Sequence, residues 1–267
     1  MKRLAWLTDL HLNFAEPRAV DALCRSVRDG GADAVLLTGE VAEAPDVVGH
    51  LEGLDARLGL PLYFVLGNHD FYRGGIAAVR AAVADLCARS PRLCWLPGAG
   101  AVGLTPGTGL VGHDGWADGR LGDYAGSADL LLNDFRFVAE LTELDEGGRL
   151  DRLHALGDEA AAHFRAVLPG ALARYERVIV LTHVPPFREA CLHAGRVADD
   201  AWLPHFACRA AGEALAEAAA DHPNREVTVL CGHTHEACEV LVRPNLRVLV
   251  GGAEYGELAL QQVLLVE

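Results

Sequence analysis

A chain of 267 residues, 51% hydrophobic and 22% charged, is long enough for a sizeable core and too apolar to be disordered or of low complexity. Its 37 acidic against 23 basic residues leave a formal charge of -14, which repels nucleic-acid backbones and anionic membrane surfaces alike. Seven cysteines, an odd number without a Cys-x-x-Cys pair, read as buried thiols in a reducing compartment and not as a disulfide framework.

Lys2 and Arg3 precede only a four-residue apolar run, Leu4-Ala5-Trp6-Leu7. A signal peptide needs about 7–15 apolar residues and a spanning helix about 20, so a soluble, cytoplasmic protein is expected. The run at Leu4–Thr8 reads as a strand, and Glu16–Asp29 as a helix with Val20, Leu23, Cys24 and Val27 on one face. Ala34–Leu37 and Leu62–Leu66 are strands, followed by helices near Asp46–Leu58 and Ile76–Arg89. Glycines and prolines between Pro97 and Gly126 imply short strands and loops, with Gly109–Gly112 the clearest strand. Asp129–Tyr175 reads as two helices, separated at Glu146-Gly147-Gly148 and bent or broken at Pro169-Gly170. Strands return at Val178–Leu181, Val227–Leu230, Val240–Val242, Leu246–Val250 and Leu258–Val266, with a helix near Cys208–Ala220 after the first. Strands apolar on both faces, alternating with helices, predict an α/β sheet covered by helices. No repeat or linker divides the chain, so residues 1–267 are expected to form one domain.

Each strong strand ends in a short polar cluster. These are Asp9-Leu10-His11, Gly39-Glu40, Gly67-Asn68-His69-Asp70, Thr182-His183 and Gly232-His233-Thr234-His235. Five of the twelve histidines thus lie just beyond strand carboxyl ends, where open α/β sheets place their sites. Carboxylates, neutral imidazoles and an amide oxygen form a donor set suited to Mn, Fe, Zn or Ni, and the lack of cysteine at these loops argues against a structural zinc site. One tetrahedral ion cannot use so many donors. Two ions about 3.5–4 Å apart, sharing a carboxylate, can.

The ordered motifs resemble the calcineurin-like metallophosphoesterase superfamily, whose pattern is Asp-x-His, Gly-Asp, Gly-Asn-His-Asp or Glu, His, and Gly-His-x-His. Asp9/His11, Gly39/Glu40, Gly67 to Asp70, His183 and Gly232 to His235 match it in order. The resemblance implies a sandwich of two mixed sheets flanked by helices, with a dinuclear site at the strand C-terminal edge. It implies that Asp9, His11 and His235 hold one divalent or trivalent ion, that Asn68, His183 and His233 hold the other, and that residue 40 bridges them. It implies that His69 faces the substrate as a catalytic group, with Glu43 either its acidic partner or a solvated helix N-terminal residue. Asp70 is read as a structural acceptor in the loop, with a ligand as the second reading. The implied activity is hydrolysis of a small phosphomonoester or phosphodiester by water activated between the ions.

Residue 40 departs from the pattern, being Glu where the family usually has Asp. One extra methylene raises the alternative of a catalytically weak metal-binding scaffold or interaction protein. The loop Gly112–Arg120 reads either as substrate-facing or as a tight turn with Trp116 on the core. His113, Arg120 and Arg188 are the substrate candidates, the arginines for phosphate oxygens. His205, Phe206 and Tyr255 are read as surface residues, with pocket lining as the second reading.

Overall fold

The computed structural model describes residues 1–127, 129–130 and 132–267. In chain order the strands are β1 (Lys2–Leu7), β2 (Ala34–Thr38), β3 (Leu62–Val65), β4 (Leu93–Trp95), β5 (Val102–Gly103), β6 (Thr108–Gly112), β7 (Arg177–Leu181), β8 (Leu192–His193), β9 (Arg196–Val197), β10 (Glu226–Cys231), β11 (Cys238–Arg243), β12 (Leu246–Val250) and β13 (Gln262–Val266). The helices are α1 (Pro17–Asp29), α2 (Val47–Leu58), α3 (Ile76–Arg89), α4 (Asp134–Phe137), α5 (Ala139–Thr142), α6 (Glu146–Arg174), α7 (Leu203–Phe206) and α8 (Arg209–Asp221).

Strand residues alternate between two cores, as a period of two requires. Leu4 and Trp6 of β1, Leu36 of β2, Ile179 and Leu181 of β7 and Leu230 of β10 share one cluster. Ala5 and Leu7 face outward with α1 to α3, and Val178 and Val180 face outward with α6 and α8. Two sheets therefore meet face to face, each covered by helices on its outer side. One is ordered β13-β1-β2-β3-β4 and the other β11-β12-β10-β7-β6-β5. Both are mixed: β1, β2, β3 and β4 run parallel with β13 antiparallel at the edge, and β6, β7, β10 and β12 run parallel with β5 and β11 antiparallel. Parallel pairing directs the carboxyl ends of β1, β2 and β3 to one edge of the first sheet, and those of β7 and β10 to one edge of the second.

Three expectations are corrected. The final strand begins at Gln262 rather than Leu258. Gly147 and Gly148 do not separate a pair of helices but form the first turn of α6, where the Asp145 side chain caps Gly148 N at 2.8 Å. Pro169 does not break α6, which runs on to Arg174. Phe164, Leu168, Ala171 and Leu172 are buried on both sides of the proline, and that packing outweighs one missing backbone donor. No helix among the described residues is long and apolar enough to cross a membrane.

The Gly112–Arg120 loop is a joint. Trp116 is packed in the outer core of the first sheet. Asp114, fully buried, accepts from Leu66 N at 2.8 Å, Trp95 Nε1 at 2.9 Å and Arg80 Nε at 2.9 Å, while its carbonyl accepts from His183 N. Its carboxylate thus ties the end of β3 to α3 and β4, and its backbone ties both to the second sheet. Asp114→Ala leaves these donors without an acceptor. It is expected to cost about 3 kcal/mol, the low end for a broken buried ion pair because Arg80 keeps Glu159. Urea denaturation should show a lower midpoint at unchanged slope. A loss under about 1 kcal/mol would mean that water replaces the carboxylate.

Candidate metal centre

The loops after β1, β2, β3, β7 and β10 converge, and their backbones are bent sharply to do so. Asp9, His11, Glu40, His233 and His235 all have φ between 41° and 75°, and they are five of the seven non-glycine residues with positive φ among those described. Left-handed backbone is unfavourable for side-chain-bearing residues and persists where the surroundings impose it. Here Asp9 N donates to Gly39 O, His11 N to Glu40 O at 2.8 Å, and His233 N to Asp9 Oδ1 at 3.0 Å. Asp70 fastens the second and third loops by accepting from Glu40 N, Gly67 N and Ala42 N at 2.8–3.0 Å. A Cβ on Gly67 would stand 2.6 Å from Glu40 Cγ and 2.8 Å from His183 Cε1, so only glycine admits the Glu40 stem there.

Two donor groups result. Asp9, His11, Glu40 and His235 present ligand atoms within 4.8 Å of one another, and so do Glu40, His183 and His233. Glu40 belongs to both. Its Oε2 lies 2.9 Å from His11 Nε2 and its Oε1 3.2 Å from His183 Nε2. Asn68 joins the second group, with Oδ1 3.2 Å from His183 Nε2 and 3.0 Å from His233 Nδ1.

The proton inventory of the second group is informative. A neutral imidazole carries one N–H. His183 places its Nδ1–H on Thr38 O at 2.8 Å, and His233 places its Nε2–H on His205 O at 2.8 Å. In the neutral form their other nitrogens present lone pairs to Asn68 Oδ1, whose amide nitrogen is turned away toward Asp134 Oδ1 at 2.9 Å. In the first group His11 Nε2 and His235 Nε2 face each other at 3.2 Å, and His11 Nδ1 is buried without a partner among the described residues. With the imidazoles neutral, the acceptors of the second group converge with no proton between them, an arrangement that fits a cation. Mixed oxygen and imidazole donors fit transition metals.

Electrostatics agree in direction. Burial pushes the Asp9 carboxyl up to about 6, and Glu40 adds to the rise. Burial also opposes ionisation of Glu40, yet His69, His11 and His183 hold it well below the ordinary carboxylate range. Burial disfavours the His183 cation, but Glu40 outweighs it and holds the group up to about 9. His233 has less compensation, and burial followed by repulsion from His183 brings it down to about 3. The carboxylates thus draw positive charge inward, which a bound cation would supply in place of protons.

A cavity of about 250 Å³ opens over both groups, its walls including His69, Tyr72, Asp134, Phe206 and Tyr255. His69 stacks on Tyr72 with centroids 4.2 Å apart, and its Nε2 stands 3.8 Å from Glu40 Oε1. Glu43 is not its partner: the carboxylate pairs with Arg73 at 2.9 Å instead. The substrate candidates are also corrected, because all three are engaged outside this cavity. Gly115 N donates to His113 Nδ1, and His113 Nε2 lies 3.5 Å from Glu159. Arg120 pairs with Asp118 at 3.1 Å and Asp158 at 2.8 Å, and Arg188 with Asp200. His205, by contrast, is buried at the cavity and not at the surface.

Sequence reasoning missed Tyr72 and Asp134. Tyr72 Oη donates to Asp134 Oδ1 at 2.5 Å, and Asn68 Nδ2 donates to both residues. Together they fix which way the Asn68 amide points. Tyr72 sits four residues after Asn68, whereas Asp134, in a stretch read as helix, carried no local signal.

A family model described as calcineurin-like phosphoesterase matches residues 2–237. A UDP-2,3-diacylglucosamine hydrolase of Stenotrophomonas maltophilia (strain K279a) is 32% identical over 90 residues, which cover 29% of this chain. The match spans 36% of that relative's length. Among solved structures, a phosphopantetheinyl hydrolase from Mycobacterium tuberculosis aligns at TM-score 0.64 and 16% identity, covering 95% of this chain and 89% of its own. A dimetal phosphatase from Danio rerio aligns at 0.59 and 13% identity, covering 94% and 87%. Both likenesses are of fold.

Partners that orient a metal ligand commonly matter about 10–100-fold in metal affinity. Asp134→Ala, which frees the Asn68 amide to turn, is expected to weaken transition-metal binding by that order in competition with a chromophoric chelator. Unchanged affinity would show that the amide is held without Asp134.

Proposed function

We propose, for a chain that belongs to the calcineurin-like phosphoesterase family and is on that ground a phosphoric ester hydrolase, that it cleaves a small phosphomonoester or phosphodiester at a two-metal centre. The observation that carries this reading is the pair of donor groups sharing Glu40. Asp9, His11 and His235 would hold one ion and Asn68, His183 and His233 the other. When bound, such a pair supplies Lewis acidity toward phosphoryl oxygens and makes water a nucleophile near neutral pH. Glu40 offers one oxygen to each group, so its extra methylene does not prevent it from spanning them. That favours turnover over the catalytically weak scaffold or interaction protein that Glu at this position raised as the alternative.

The rest is done by side chains that bind no ion. His69 walls the cavity while serving neither donor group, which suits it to donate an imidazole N–H proton to the departing oxygen. Tyr72 keeps the His69 ring in place by stacking, and Phe206 and Tyr255 add aromatic walls to the cavity. The charge of -14 favours small substrates over nucleic acid.

Two experiments test this reading. Protein loaded separately with Mn, Fe, Zn or Ni is expected to retain about two ions per chain by elemental analysis. At least one loaded form should hydrolyse nitrophenyl phosphate or bis-nitrophenyl phosphate. No bound transition metal under any loading condition would overturn the centre, and full occupancy without turnover would overturn the activity.

His69→Ala should keep its metal content and lose about 10²–10⁴-fold in kcat on alkyl phosphoesters, whose leaving groups need a proton. The loss should be smaller on nitrophenyl esters. Equal losses on both, or metal loss, would remove His69 from the proton-donor role.

A further inference from the structure

Beside the cavity over the donor groups lies a second one, of about 300 Å³, and Leu132 and His205 wall both. The donor-group cavity is lined mainly by polar and aromatic residues that converge on the two groups. The second is differently built. Tyr124 and Phe135 give it flat apolar sides, and Arg136 and Arg149 give it positive charge, with Glu146 the carboxylate among its lining residues. In a chain with a net charge of -14, two guanidinium groups to one carboxylate is a local reversal of sign.

Arg149 points to a ligand. Its guanidinium stands over the Phe135 ring, 4.9 Å from the centroid, so the aromatic face holds it at the cavity wall. Its Nε is covered by the protein and has no acceptor among the described residues, so the residue meets the cavity through its other atoms. A guanidinium has five N–H donors and no acceptor, so an anion is the partner it takes from a cavity it lines. Carboxylate and phosphate oxygens match that fork best.

We infer that this second cavity is the leaving-group subsite of the enzyme. It receives the portion of the substrate beyond the scissile phosphoester, a flat apolar body bearing a second anion that Arg149 binds. The inference rests on the phosphoesterase reading above. Contiguity makes the assignment: a phosphoryl group over the donor groups places its ester substituent next to Leu132 and His205, which are also the wall of the second cavity.

Two aryl monoesters matched in size test it, 4-(carboxymethyl)phenyl phosphate and 4-ethylphenyl phosphate. With metal-loaded protein, kcat/KM should favour the carboxylate-bearing ester by about tenfold or more, the weight of one charged hydrogen bond. Arg149→Ala should cut that ratio by a similar factor, and Leu130→Trp, which fills the cavity, should abolish it. Independently of turnover, calorimetric titration with the product 4-hydroxyphenylacetate should register binding to the loaded wild type that both variants lose. A wild-type ratio near one, or a ratio and product binding unmoved by both variants, overturns the subsite. Should the loaded protein hydrolyse no phosphoester at all, the hydrolase reading fails by itself. Product binding then decides the subsite alone: Arg149-dependent binding upholds it as an aryl-anion site, and its absence overturns it.

Discussion

One carboxylate, buried between imidazoles from two different sheets, sets the terms for this molecule. Glu40 is 1% exposed, and stripping water from an ionised carboxylate costs several kcal/mol unless charges or hydrogen bonds replace it. The replacement comes from both sides at once: His11 follows β1, His183 follows β7 and His235 follows β10. The sandwich is therefore held at this edge by polar contacts as well as by the apolar layer of Trp6, Leu36, Leu181 and Leu230. His183 Nδ1 to Thr38 O and His233 N to Asp9 Oδ1 are direct hydrogen bonds between the sheets. Sliding one sheet over the other would leave the carboxylate uncompensated, so the geometry that assembles the donors also fixes how the sheets dock.

The same convergence explains where strain is kept. Left-handed backbone at a non-glycine residue costs on the order of 1–3 kcal/mol, and five donors adopt it. They turn back immediately after a strand, which points each donor along the sheet edge instead of to either face. Asp70 helps hold that arrangement from beneath. Burial pushes its carboxyl up to about 7, while the N–H groups of Ala42 and Gly67 pull the other way, so the cost of burying it is partly met by the loops it fastens. Stability is lost at the centre and recovered in the two helix-covered layers.

What could be read from the sequence follows from this layout. Every candidate ligand lies within a few residues of a strand end, so hydrophobic runs and local motifs located Asp9, His11, Glu40, Asn68, His183, His233 and His235 without any knowledge of tertiary contacts. The sheets were legible for the same reason, since their strands are apolar on both faces. Contacts that join distant segments were not legible. Asp134 is 66 residues from the Asn68 it braces, and nothing local marks it. Arg73 takes Glu43 away from His69, a competition between acceptors that spacing cannot express. His113 and Arg120 read as substrate groups because a polar loop after a strand has the same composition whether it faces a ligand or a neighbouring helix. Here Glu159 and Asp158 of α6 claim them. Pro169 read as a bend or a break because local rules do not register the buried face of α6, and the break did not occur.

The segment between β6 and α6 has two tasks that the strand ends cannot perform. Asp134 holds the Asn68 amide in the first cavity, and Phe135, the next residue, walls the second beneath the Arg149 guanidinium. Both sit on α4, a helix of only four residues, so neither can shift without moving the other. Leu132, at the entry to that turn, borders both spaces. The strand ends thus supply the two donor groups, while one short turn couples the orientation of the Asn68 amide to the wall of the second cavity. A substitution in this turn that reshapes the second cavity would also disturb the Asn68 amide, so the two cavities are coupled more tightly than two separately built pockets would be.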